Sequence, residues 1–64
     1  MDTSKIEPLA HSPDRAAQRL GVSTRSVYLH ISTGELRSFK AGKRRLIPDS
    51  ELRRFVERRM AEAA

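Results

Sequence analysis

The sequence predicts a mainly helical domain with one small β-hairpin, in the order helix, helix, hairpin, helix. Three observations carry this. Apolar residues recur at helical spacing in three separate stretches, each opened by serine or aspartate. Gly21 and Gly34 close the first two. Between the second and third lies a segment with no helical stripe, interrupted by Ala41-Gly42-Lys43.

Along the chain, residues 1–11 are expected as an N-terminal extension and residues 12–64 as the folded domain. Met1 to Ser4 read as loose, and Ile6, Pro8 and Leu9 as a short extended entry. Ser12-Pro13-Asp14 opens the first helix. A serine oxygen accepts an orphan amide hydrogen, proline fits the first helical position, and aspartate favours the positive end of the helix dipole. Ala16, Ala17 and Leu20 form its apolar stripe, and Gly21 ends it in a left-handed cap. Ser23 caps the second helix, with Val27 and Ile31 on one face and Tyr28 beside them. Thr24, Arg25, Ser26, Leu29 and His30 lie off that line, and Ser32-Thr33-Gly34 breaks the helix. Two short helices joined by a glycine-containing turn match a helix-turn-helix unit.

Arg37–Ala41 and Arg44–Ile47 read as two strands reversing at Gly42-Lys43, and Pro48 ends the second because it has no amide hydrogen for a ladder. Asp49 or Ser50 caps the third helix, whose stripe is Leu52, Phe55, Val56 and Met60. Its other face alternates charge, which suggests the pairs Arg53–Glu57 and Arg58–Glu62. Arg54 is left within reach of a phosphate. The stripe runs on to Met60 and Ala63, further than a small core requires, so this end reads either as a surface for a partner protein or a second copy, or as a frayed helix end. The order of elements is that of a small winged helix-turn-helix domain. Its expected core is Ala16, Ala17, Leu20, Val22, Val27, Ile31, Leu36, Phe39, Ile47, Leu52, Phe55 and Val56.

The 64 residues allow one domain at most. A chain this short buries only ~60% of the surface its unfolded form exposes. It has no cysteine, so no disulfide and no thiolate metal site, which fits a reducing compartment. No apolar run approaches the ~18 residues of a membrane span, and no signal-peptide pattern opens the chain, so a cytoplasmic location with no membrane association is expected. His11 and His30 and the scattered acids have no metal-ligand spacing, no nucleophile–base pair and no phosphate cradle. No catalytic residue, metal or cofactor is therefore expected.

Charge is the more informative signal. The chain carries 13 Lys+Arg against 8 Asp+Glu, and its pI is about 10.8. The excess is local. Residues 35–48 hold five cations and one acid, whereas residues 49–64 hold four of each. A focused basic patch on a small domain implies a polyanionic partner.

Specific residues add a resemblance. Ala16-Ala17, Leu20-Gly21-Val22-Ser23, Ser26-Val27-Tyr28, Gly34-Glu35-Leu36, Gly42-Lys43-Arg44-Arg45, and Ile47 followed by Ser50-Glu51-Leu52 and Phe55 resemble the excisionase-like helix-turn-helix family. These are relatives of the DNA-binding head of MerR-type regulators. The match spans Ser12 to Phe55 and rests on the order and spacing of the pieces. His11, Ala41 and Leu46 depart from the pattern. The first two bear on packing beneath the first helix and in the wing, and Leu46 reads as an exposed apolar contact.

The resemblance implies a non-catalytic, sequence-selective protein on double-stranded DNA. Ser23, Thr24, Arg25 and Ser26 open the helix that enters the major groove in such folds. Short hydroxyls and one long cation suit that place, and Arg25 suits a bidentate contact to guanine. Ser23 also reads as a plain cap, and Arg25 as a solvated surface charge. Tyr28 reads either as a ring at the core edge with its hydroxyl on a phosphate, or as core packing. Leu29, if exposed, suits a thymine methyl, and His30 reads as an exposed helix residue. Lys40, Gly42, Lys43, Arg44 and Arg45 form a narrow cationic tip suited to a minor groove.

The family contains phage excisionases, also called recombination directionality factors. The expected role is to bind tandem sites in several copies, bend the DNA and help a tyrosine or serine integrase excise a prophage or mobile element in a bacterial host cell. A small repressor of the same fold is the alternative, the short third helix arguing against a MerR-type activator. A basic protein-interaction module is a more distant one.

Overall fold

The structure, a computed structural model, describes residues 8–63. The loose start at Met1 to Ser4 and the Ile6 part of the extended entry lie outside the described residues. The elements are β1 (Ala10–His11), α1 (Pro13–Leu20), α2 (Thr24–Ser32), β2 (Phe39–Ala41), β3 (Arg44–Pro48) and α3 (Asp49–Ala63). The winged helix-turn-helix order is therefore present, with one strand more than the two-stranded hairpin foreseen. The sheet is antiparallel in the order β1-β3-β2.

Local chemistry sets the boundaries. Ser12 Oγ accepts the Arg15 amide hydrogen at 3.3 Å, with Pro13 in the first turn. Gly21 closes α1 at φ 75°, a left-handed conformation that glycine adopts without a Cβ clash, and its amide donates to Ala17 O at 2.8 Å. Ser23 Oγ accepts from the Ser26 amide at 3.1 Å, so Ser23 caps α2. In the hairpin Ala41 stands opposite Arg44 and only Gly42 and Lys43 lie between. Gly42 has φ 65° and Lys43 does not share the positive sign. That combination, glycine first and a positive φ there alone, is the signature of a type II′ turn, whose twist matches that of the strands. Pro48 is the last residue of β3, as its missing amide hydrogen requires.

The core gathers Ala16, Ala17, Val27, Leu36, Ile47, Leu52 and Phe55, with Leu20 and Ile31 partly buried against it. Three residues expected there are exposed instead: Val22, Phe39 and Val56. Val22 lies in the turn after the α1 cap. Phe39 stands opposite Leu46, and side chains alternate along a strand, so both occupy the sheet face turned away from the buried Ile47. On α3 the inward face is taken by Leu52 and Phe55, three apart, and Val56 is rotated out. Leu46 is half-buried, so the expected exposed contact is only partial.

His11 is the converse case. It is 7% exposed and sits in β1 opposite Ile47. Its Nε2 lies 2.8 Å from Asp49 Oδ1. A buried polar ring is tolerated when its hydrogen bond is made, so a histidine serves where an apolar residue would otherwise sit. Asp49 opens α3 and also receives Arg53 Nε at 2.9 Å, while Arg19 Nη2 lies 3.4 Å from it. The Asp49 amide donates to Leu9 O at 2.8 Å. One carboxylate thus ties β1, α1 and α3 together. The Arg53 hydrogen bond first, and the His11 bond second, hold the Asp49 carboxyl below its ordinary value of 3.8.

The charge pairs on α3 differ from those expected. Arg53 pairs with Asp49, Arg54 with Glu51, and Glu62 with Arg59 rather than with Arg58. Arg59 also reaches back to Glu35 at 2.6 Å and lies 5.2 Å from the Phe55 ring centroid. His30 is not the exposed residue expected. Its ring packs on Phe55, centroids 4.8 Å apart, and its Nδ1 lies 3.5 Å from Glu35 Oε2.

Candidate nucleic-acid interface

The second helix presents its outer face by simple periodicity. Val27 is buried and Ile31 half-buried, so the residues roughly opposite them point outward. These are Arg25, Tyr28, Leu29 and Ser32, all exposed, and spaced by three, four and seven positions from Arg25. Tyr28 is 51% exposed and belongs to this face, which rules out packing within the core. Leu29 is 55% exposed beside it. The Ser32 hydroxyl donates to Leu29 O at 2.7 Å.

The other residues expected at the start of α2 are partly engaged. Ser23 caps the helix, and its hydroxyl donates to Ser26 Oγ at 3.2 Å. Thr24 Oγ1 donates to Asp14 Oδ1 at 3.1 Å, which fastens the start of α2 to the first turn of α1. Thr24 and Ser26 are half-buried, so Arg25 is the one long side chain in this turn that stands free of the fold. Sequence reasoning stressed the helix start and passed over Ser32. Counting outward from the Val27–Ile31 line was the signal that reaches it.

The wing places its cations on three sides. Lys40 stands opposite Arg45 on the sheet face that Ile47 also uses. Arg44 is on the other face with Phe39 and Leu46, and Lys43 is in the turn. Arg45 is half-buried, and its Nη1 donates to Ser38 Oγ at 2.6 Å, which stiffens the base of the hairpin. Lys40, Lys43, Arg44 and Arg45 form no ion pair among the described residues. An array of cations with no internal counter-charge keeps its full field for an external anion. At Gly42 nothing lies within 4 Å of where a Cβ would stand, so the glycine serves the turn's φ and leaves the tip narrow.

Among the described residues no three His, Cys, Asp or Glu side chains gather to hold a metal ion, and no helix is long and apolar enough to cross a membrane.

A two-helix unit, an outward polar helix face and an unbalanced cationic hairpin together define a DNA-binding winged helix-turn-helix domain. Comparison with known families gives the finer placement: residues 12–60 match the model of the helix-turn-helix domain, a family associated with excisionase-like DNA-binding proteins, and the chain belongs to it. Sequence-specific DNA binding follows from that membership, and DNA is the partner. No curated protein and no solved structure matches the chain.

Proposed function

We propose that this chain is a DNA-binding protein of excisionase type. It binds tandem sites in several copies, bends the DNA, and promotes excision of a prophage or mobile element by a tyrosine or serine integrase. The observation that carries the reading is the wing. Four cations around a type II′ turn have no carboxylate partner among the described residues, beside a helix whose free face is Arg25, Tyr28, Leu29 and Ser32.

In this reading α2 lies in a major groove and the wing in the adjacent minor groove. Arg25 reads guanine through its two parallel N–H groups, and Leu29 meets a thymine methyl. Tyr28 reaches a phosphate through its hydroxyl. Ser23, Thr24 and Ser26 hold the helix start, whose free amides face the backbone. The wing, with Gly42 at its tip and Lys40, Lys43, Arg44 and Arg45 around it, enters the minor groove, reading its width more than its sequence. Each module has a small footprint, so copies on neighbouring sites gain affinity through linked binding. Met60 is 67% exposed and Val56 46% exposed on α3, apolar area that suits contact between copies or with the integrase.

The test is a footprint on DNA carrying an integrase attachment site, together with an excision assay containing that integrase. Regularly spaced protected segments, with more excised product when the protein is added, are the expected result. Protection confined to a promoter with no change in excision would replace this reading by a repressor. No protection of any duplex at low salt would leave the basic surface to a protein partner.

A further inference from the structure

A cleft of about 610 Å³ opens between the outer flank of α1 and the wing. Arg15, Gln18 and Arg19 line one side and Arg44 of β3 the other, over the apolar side chains of Ala10 and Leu46. Among the described residues no acidic side chain lines it. Arg15 and Arg44 have no ion-pair partner among the described residues. Arg19 leans on Asp49 at 3.4 Å, yet half of its side chain stays exposed. A concavity walled by one sign of charge focuses its field and concentrates anions.

Its position matters as much as its charge. α1 packs against both α2 and β3. The Thr24–Asp14 bond fixes the first turn of α1 to the start of α2, and Arg15 is the next residue along. A duplex that takes α2 in a major groove and the wing in the adjacent minor groove has one sugar-phosphate strand between those grooves. That strand passes between α2 and the wing, and α1 contacts both α2 and the wing strand β3.

We propose that the cleft is a backbone clamp that receives one phosphodiester of the strand separating the two grooves. Arg15 and Arg44 grip the phosphate oxygens as forked donors, Gln18 adds a neutral donor, and Arg19 adds charge. Leu46 and Ala10 offer an apolar surface to the deoxyribose, which accounts for a leucine directly after the wing cations. The clamp rests on the DNA-binding reading, adds α1 to its contact surface, and carries no base preference.

The test is duplex binding measured against salt for the wild type, Arg15→Gln, Arg44→Gln and, as a reference outside the cleft, Lys43→Gln. Arg15→Gln is expected to weaken cognate and random duplexes equally, by several-fold, and to lower the slope of log K against log salt by about 0.9. Arg44→Gln should match it, and both should melt like the wild type. If Arg15→Gln keeps wild-type affinity and slope while Lys43→Gln loses both, the clamp is wrong and the DNA reading stands. If the wild type binds no duplex, the DNA reading fails and takes the clamp with it. Inorganic phosphate is the other source of the same chemistry, followed by the Arg15 side-chain N–H resonance. Tight saturation by phosphate that duplex fails to displace would make the cleft a small-anion pocket and overturn the clamp.

Discussion

The wing and the third helix are equally rich in arginine and lysine, but they use the charge in opposite ways. On α3, Arg53, Arg54 and Arg59 each face a carboxylate, from Asp49, Glu51, Glu62 or Glu35. In the wing, Lys40, Lys43, Arg44 and Arg45 face none among the described residues, and only Arg45 is tied down, to a serine hydroxyl. The first set spends its charge inside the fold, along α3 itself and, through Arg59 and Glu35, on the loop that follows α2. The second leaves it outside. A count of cations cannot tell these regions apart; the placement of the acids can.

The largest expected effect breaks the support beneath the wing. Ile47 is fully buried and is the point where β3 meets the core. Ile47→Ala should cost about 2–5 kcal/mol, out of a total of about 3–10 kcal/mol for a domain of this size. Chemical denaturation should show the midpoint collapsing, and a midpoint close to the wild type would mean the wing is not anchored through Ile47. Next comes the charge itself. Replacing Lys43, Arg44 and Arg45 together with alanine should leave the melt nearly unchanged and cut affinity for every duplex by up to ~10²-fold at moderate salt. Equal affinity in a salt-controlled gel shift would remove the wing from the interface. Arg25→Ala sits one step lower. It should shrink the preference for cognate over random DNA by about 1–3 kcal/mol, and an undiminished preference would reject Arg25 as a reader.

The two regions were also unequally legible before the structure. The wing turn, the caps at Ser12 and Ser23 and the stop at Gly21 are written in residues whose physics is local, and they appear where expected. The core was read less well wherever two faces competed. Phe39 and Val56 are large and apolar, but strand alternation and helix rotation turn them outward, and the direction of a three-residue strand depends on its partner. β1 has two residues and so no period to detect. Its existence depends on pairing with Ile47 and Pro48, far along the chain. His11 is buried because Asp49 is waiting for it, a contact across 38 positions. The α1 face of the cleft was missed for the same reason. Arg15 and Arg19 look like ordinary surface charge until the wing is folded against them.

Asp49 tests the structural use of charge. Its folded pKa is lowered, so the carboxylate stabilises the fold above its unfolded value of 3.8, and that contribution is lost as the pH falls through the lower folded value. Asp49→Asn should therefore melt below the wild type at neutral pH, and the gap should close as the pH drops under 3.8. Thermal melts across that range check it. A gap that stays constant into acid would show that the bonds to Arg53 and His11 do not depend on the charge.

The smallest effect separates the two regions most cleanly. Arg54 and Arg58 are exposed on α3. Arg54 lies 3.8 Å from Glu51, a long pair whose arginine is largely exposed, and such pairs contribute about 0–1 kcal/mol. If α3 charge serves the fold alone, Arg54→Ala with Arg58→Ala should move the melting point little and the DNA affinity by no more than about twofold, although two cations are lost just as in a double wing variant. General electrostatic attraction would weaken both variants alike, because a distant cation still adds to the overall field. Equal losses would mean that net charge rather than placement drives binding. A loss in the α3 variant alone, with a lower salt slope, would put a phosphate against Arg54 and extend the interface to a third element.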